Sequence, residues 1–177
     1  MNELKSDRLI YRKLNLDHVT ETYVSWLNDP DINRYLEIRY YSHNIESCRE
    51  FVRQMNADKS QYMLGMFMAE SNRHIGNIKL GFIHNYHLRG QLSLLIGDKT
   101  LWGKGLATEA IRTVTKWGFE TLGLARIEAG CYQENLASLK AFLKAGYQVE
   151  GFFRKHSLVD GRRLGSFWLG ILPYEVT

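Results

Sequence analysis

Leu9 and Tyr11 alternate with Ile10 and Arg12 across residues 8–14, the two-residue period of a strand with one face inward. The period then lengthens: Val19, Tyr23, Trp26 and Leu27 share one face of a predicted helix that Asp17 caps and Asp29-Pro30 closes. A short helix is predicted over 32–36 and a longer one over 45–55, with Ser42 or Asn44 near its start. Three strands follow at about 62–69, 74–83 and 91–96, antiparallel and turned at Ser71-Asn72 and across 85–90. The last contains the apolar run Leu92-Ser93-Leu94-Leu95-Ile96, which reads as buried. Helical spacing returns with Ala107, Ile111, Val114 and Trp117 to Phe119. A strand over 125–132, a helix over 135–145 and hairpin strands near 147–158 and 163–172 complete an α/β order. No linker, repeat or low-complexity stretch interrupts it, so residues 1–177 are read as one domain.

Between the buried strand and the helix lies Trp102-Gly103-Lys104-Gly105-Leu106-Ala107-Thr108-Glu109-Ala110, a glycine-rich turn leading into a helix N-terminus. The first N–H groups of a helix lack partners and carry a partial positive charge, so such a turn suits a pyrophosphate. Two familiar phosphate loops do not fit. Gly97 and Gly103 enclose five residues and Lys104 is followed by Gly105, so the hydroxyl that a nucleotide triphosphate loop needs after its lysine is missing. A dinucleotide fingerprint would need Gly or Ala where Thr108 stands.

Gly105 and Ala107 do match the end of the Gln/Arg-x-x-Gly-x-Gly/Ala loop of the GNAT superfamily of N-acetyltransferases, with Trp102 in place of Gln or Arg. Downstream, Asn135-Leu136-Ala137-Ser138 and Ala141-Phe142-x-Lys144-x-Gly146-Tyr147 resemble the family's following helix, and Glu150 to Arg154 with Asp160-Gly161 resemble its closing hairpin. The resemblance spans about residues 7–173 and is nearest to the branch of ribosomal-protein-alanine and spermidine acetyltransferases. It implies a single α/β domain with a mixed, mostly antiparallel seven-stranded sheet, splayed between strands 4 and 5 and flanked by about four helices.

The same resemblance implies acetyl-CoA as co-substrate, with no metal. Backbone groups of Leu94, Leu95 and Ile96 would pair with pantetheine as an added strand. Trp102, Gly103, Lys104, Gly105, Leu106, Ala107 and Thr108 would surround the pyrophosphate, and Asn135 and Ser138 would close from the other side. An N–H near Leu95 would donate to the thioester carbonyl, a contact typically worth ~3 kcal/mol of barrier. The tyrosine that many family members use as acid is replaced by Phe142, so Ser138 is the candidate acid, its other role being a helix-face hydroxyl. Candidate bases are Glu37, His84 and Glu128, the last equally suited to an ion pair with Arg126 or Lys140.

Trp26, Arg34, Tyr35 and Tyr40 fall where the family builds acceptor specificity, although Trp26 and Tyr35 also suit a core. Arg34 and Arg39 would suit a phosphate-bearing acceptor, while Asp29, Asp31 and Glu37 keep a polyamine open. The acceptor is therefore read as a small-molecule amine such as an amino-sugar nucleotide or a polyamine. A protein N-terminus, or a non-catalytic CoA-binding module, is the alternative.

Composition narrows the classes. The 177 residues are 45% hydrophobic, enough for a sizeable core, and 23 basic against 19 acidic residues give only +4, too little to argue for nucleic acid. Cys48 and Cys131 are too few for a disulfide scaffold, and the histidines lack ligand spacing. No run approaches a membrane span, and Lys5, Asp7 and Arg8 replace a signal peptide's apolar stretch, so the protein is expected in the cytoplasm. Strand-edge pairing allows a homodimer without requiring one.

Overall fold

The structure, a computed structural model, describes residues 4–176. Its strands are β1 (Leu4–Lys5), β2 (Leu9–Lys13), β3 (Tyr62–Met68), β4 (His74–His84), β5 (Arg89–Ile96), β6 (Arg126–Tyr132), β7 (Gln148–Val159) and β8 (Arg162–Ile171). They form one sheet in the order β1-β2-β3-β4-β5-β6-β8-β7. The α-helices are α1 (Glu21–Asn28), α2 (Pro30–Asn33), α3 (Ile45–Ala57), α4 (Leu106–Leu122) and α5 (Leu136–Lys144). The eighth strand, against the seven expected, is the two-residue β1, which pairs Leu4 with Tyr11 and carries too little pattern to be read from sequence.

The helices differ from expectation near the N-terminus. Asn15, not Asp17, caps a short 3-10 turn, and Thr20 caps α1 by accepting from the Tyr23 N–H. The helix expected over 32–36 divides into α2 and a 3-10 turn over Glu37–Tyr40. Asp29-Pro30 ends α1 as expected, with Asp29 its C-cap, and also starts α2: Asp29 caps that helix and Pro30 occupies its first position, where a missing N–H costs nothing.

Every neighbouring strand pair is antiparallel except β5 and β6, which are parallel and in register only at Arg89↔Arg126, Gly90↔Ile127 and Gln91↔Glu128. Beyond Gln91 the two strands part, while β5 stays paired to β4 as far as Gly76↔Ile96 and β6 stays paired to β8 as far as Tyr132↔Ser166. The sheet thus opens into a V with one free edge on each side.

The two faces carry separate cores. On one, α4 packs Ala110, Ile111 and Val114 against Ile78, Leu80 and Ile127, all with negligible exposure. On the other, α1 and α3 bury Tyr23, Trp26, Leu27, Cys48 and Val52 with Leu14. The V opens between these two layers. No helix among the described residues is long and apolar enough to cross a membrane.

Candidate active site

A cavity of about 800 Å³ fills the splay. Ser93, Leu94 and Leu95 of β5 line one wall, and Gly130, Cys131 and Tyr132 of β6 line the other. Asn135, Ser138 and Phe142 close it from α5, while Tyr35, Glu37 and Asn77 border it from the opposite layer.

Backbone geometry fixes which groups face the opening. The Gly97 N–H donates to the Ile75 carbonyl at 2.8 Å, toward β4. In an antiparallel ladder the direction alternates, so the groups of Leu95 also turn toward β4 and those of Leu94 and Ile96 turn toward the splay. The Trp102 indole agrees, its Nε1–H donating to the Ile96 carbonyl at 2.9 Å. The free N–H expected near Leu95 therefore belongs to Leu94 or Ile96. Trp102 also gains a defined part, closing the end of the free edge.

Past the end of β5 and outside the residues that line the cavity, Gly103 (φ +75°) and Gly105 (φ +80°) adopt left-handed backbone that other residues enter only with strain. Gly105 is the N-cap of α4 and supplies no side chain, so the N–H groups of the first turn are left for a ligand. The loop is braced from the N-terminal side. Arg8 Nη1 donates to the Lys104 carbonyl at 3.0 Å, and its Nε donates to Glu109 Oε2 at 2.7 Å. Glu109 Oε1 also accepts from Ser6 Oγ at 2.7 Å and from the Arg8 N–H at 2.8 Å. Burial works against the Glu109 charge, but these donors outweigh it and hold the carboxyl below its usual range. Nothing in the local sequence signals that Arg8 and Glu109 meet, because they lie about a hundred residues apart.

Of the proposed acid and bases, two reach the cleft. Ser138 lines it on the first turn of α5, its N–H bonded at 3.2 Å to the Oδ1 of the capping Asn135. Glu37 borders it and accepts the Tyr132 hydroxyl, which in turn accepts from Arg39 Nη1 at 3.2 Å. Burial and the Glu37 carboxylate both push the Tyr132 phenol up, so it stays protonated.

The structure places the other two bases elsewhere. Glu128 is on the cleft face of β6 but at its zipped end, where its carboxylate accepts from Arg126 Nε at 2.9 Å and Arg89 Nη1 at 3.2 Å. His84 ends β4 at the hairpin tip, stacked on His87 with ring centroids 4.4 Å apart.

Acceptor candidates divide in the same way. Tyr35 lines the cleft, tilted against Tyr132 at 5.9 Å. Trp26 is core: it is 6% exposed, and a Cβ on Gly97 would lie 2.0 Å from its ring. The Tyr40 hydroxyl donates to the Leu158 carbonyl, tying the 3-10 turn to β7. Arg34 lies over the Tyr35 ring at 5.4 Å and 3.9 Å from Glu134, and Arg39 is spent on the Leu36 and Leu158 carbonyls and Tyr132. Lys79 and Asn77, neither of them expected from the sequence, do line the cleft. Their only signal is two polar residues at strand spacing within the apolar run 75–83.

Comparison with known proteins gives a consistent result. The acetyltransferase (GNAT) domain profile matches residues 8–148. The chain is similar to the uncharacterized N-acetyltransferase p20 of Bacillus licheniformis, 26% identical over 99% of this chain and 98% of that one. An acetyltransferase of the GNAT family from Bacillus anthracis superposes with a TM-score of 0.84 at 25% identity, covering 98% of this chain and 99% of that one. A spermidine N-acetyltransferase from Vibrio cholerae, solved with CoA and spermine, superposes at 0.87 with 20% identity over 96% and 98%, a likeness of fold.

Proposed function

The chain belongs to the GNAT acetyltransferase family and is an acetyl-CoA-dependent N-acetyltransferase, and we propose that it moves acetyl directly to the primary amine of a small molecule, an amino-sugar nucleotide or a polyamine. One observation carries this reading: a single cavity touches the free β5 edge at Leu94, the α5 groups Asn135 and Ser138, and the acceptor-side groups Tyr35, Glu37 and Lys79. Two reactants entering from opposite faces would meet there, and holding them together removes much of the entropic barrier to transfer.

Each wall then has a task. The N–H groups of Leu106, Ala107 and Thr108 at the α4 N-terminus hold the pyrophosphate of CoA, with the dipole of the 17-residue helix behind them. Backbone groups of Leu94 and Ile96 pair with the pantetheine arm, and the Leu94 N–H donates to the acyl oxygen as negative charge develops. Glu37 takes the proton that the attacking amine must lose, directly or through one water. Its carboxylate is held for that task by the Tyr132 hydroxyl. Ser138 supplies a proton to the departing thiolate, in place of the phenol that Phe142 lacks. Phe142 is 2% exposed and edge-on to Tyr147, a packing residue in the cleft floor.

The test is thiol release from acetyl-CoA across amino-sugar nucleotides, polyamines and peptides with free N-termini. Turnover with a small amine is expected. Turnover confined to peptides would replace the small-molecule reading with protein N-terminal acetylation.

A further inference from the structure

Asn77 and Lys79 sit two residues apart on β4, on one face, and both line the cleft. Asn77 is 2% exposed, and its amide nitrogen has no hydrogen-bond partner in the protein. A buried donor left in this state costs free energy unless something else satisfies it.

The orientation of that amide is dictated by His74. His74 Nε2 lies 3.0 Å from the Gly76 carbonyl and 2.9 Å from Asn77 Oδ1. A carbonyl only accepts, so Nε2 carries the hydrogen, and the Asn77 atom facing it is the oxygen. The amide N–H groups therefore point away from His74. In a regular strand residues 74 and 77 would face opposite ways. Here the register passes from Met66↔Gly76 to Phe67↔His74, so Ile75 is an extra residue and the bulge rotates His74 onto the Asn77 face. The imidazole is boxed by Phe67, stacked at 4.8 Å, and Trp26, edge-on at 5.1 Å. Burial lowers its pKa and keeps it neutral.

Lys79 is in a similar position. Among the described residues no carboxylate lies within ion-pair distance of its ammonium, which sits 4.5 Å over the Phe82 ring. Burial lowers its pKa, with Asp58 opposing. Glu37, the carboxylate that borders the cleft, is already engaged by the Tyr132 hydroxyl and lies 3.8 Å from Arg39.

We propose that Asn77 and Lys79 together read an oxyanion on the acceptor, so that the substrate is an amine carrying a carboxylate or phosphate and not a polyamine, with His74 as the positioning residue. The inference deepens the acceptor reading above and rests on it. An oxyanion there receives the free Asn77 N–H and draws the Lys79 ammonium round from its rest position beside Gly81 and over the Phe82 ring. A polyamine would bring a second ammonium against Lys79 in a partly desolvated pocket.

Calorimetric titration of the CoA-saturated protein with O-phosphoethanolamine, β-alanine and putrescine tests this, with thiol release from acetyl-CoA measured for each. One of the oxyanion-bearing amines is expected to bind at least roughly tenfold more tightly than putrescine, and which one does separates phosphate from carboxylate. Lys79→Met should weaken that amine by roughly 10- to 100-fold in Kd and KM, with kcat within a few-fold and CoA affinity unchanged. Asn77→Ala should act in the same direction more weakly. His74→Gln, which keeps a donor, should retain the preference, and His74→Phe should lose it. Preference for putrescine, no preference at all, or a preference that survives Lys79→Met would overturn the proposal. Failure of the wild-type protein to bind CoA would count against the active-site assignment itself, a separate result.

Discussion

The two halves of the cleft are built from different material. On the side proposed for CoA the groups on offer are backbone: left-handed Gly103 and Gly105, the first turn of α4 and the free edge of β5. On the acceptor side they come from side chains that long-range packing sets in place, such as Asn77 through His74, and Glu37 through Tyr132. A backbone site tolerates wide variation provided glycines and helix start are kept. A side-chain site changes with every neighbour. The difference explains how one fold can hold a constant donor and admit varied acceptors.

The hardest blow to the CoA half is Gly105→Asp. Its Cβ would meet nothing closer than Arg8 at 3.6 Å, so the cost is not crowding. It is the strain of φ +80° and a carboxylate placed against the pyrophosphate. Acetyl-CoA binding measured by calorimetry should vanish while the circular dichroism of the fold persists. Unchanged affinity would remove the loop from the site.

The corresponding blow to the acceptor half is Trp26→Ala. Emptying a buried indole should cost about 3–5 kcal/mol in a denaturant titration. In the fraction that stays folded, the His74 box loses a wall, so the KM for the acceptor should rise while CoA affinity holds. Loss of CoA affinity in equal measure would show that the halves are mechanically one.

That contrast also separates what the sequence reveals from what it hides. The strands from 62 to 96, the loop at 102–108 and the α5 pair Asn135 and Ser138 were legible because each rests on local periodicity, glycine spacing or a cap. The acceptor wall was legible only in part. Tyr35 and Glu37 do reach the cleft, yet Trp26, equally aromatic and only one helix earlier, is core. Residue order marks Arg34 and Arg39 for phosphate and not Lys79, because burial and the bulge at Ile75, which decide which cation faces the cleft, leave no mark in it. Glu128 and His84 lie away from the cleft lining for a related reason. Both are at the end of the sheet where β5 and β6 are still zipped, and the point at which the strands part cannot be counted from sequence.

Ser138→Ala probes the seam between the halves. Should its hydroxyl act as the acid, turnover drops about 100-fold with acetyl-CoA affinity nearly unchanged. An equal loss in both would assign it to binding alone.

The smallest effect belongs to Glu109→Gln, and it tests whether the CoA half relies on anything besides backbone. The carboxylate joins Ser6 and Arg8 to the first turn of α4. Its folded pKa lies below the ordinary value, so its contribution to stability is fully present above that value and is lost as pH falls through the depressed one. The pair is partly solvated, with Arg8 46% exposed, which limits the effect at pH 7 to about 1 kcal/mol. Wild type and Glu109→Gln should therefore differ in Tm at neutral pH and converge in acid. Arg8, released from its partner, also loses its hold on the Lys104 carbonyl, and a modest fall in CoA affinity should accompany the stability loss. Unchanged affinity at lower stability would mean that the glycine turn holds its shape unaided, and that the CoA half is a backbone site in full.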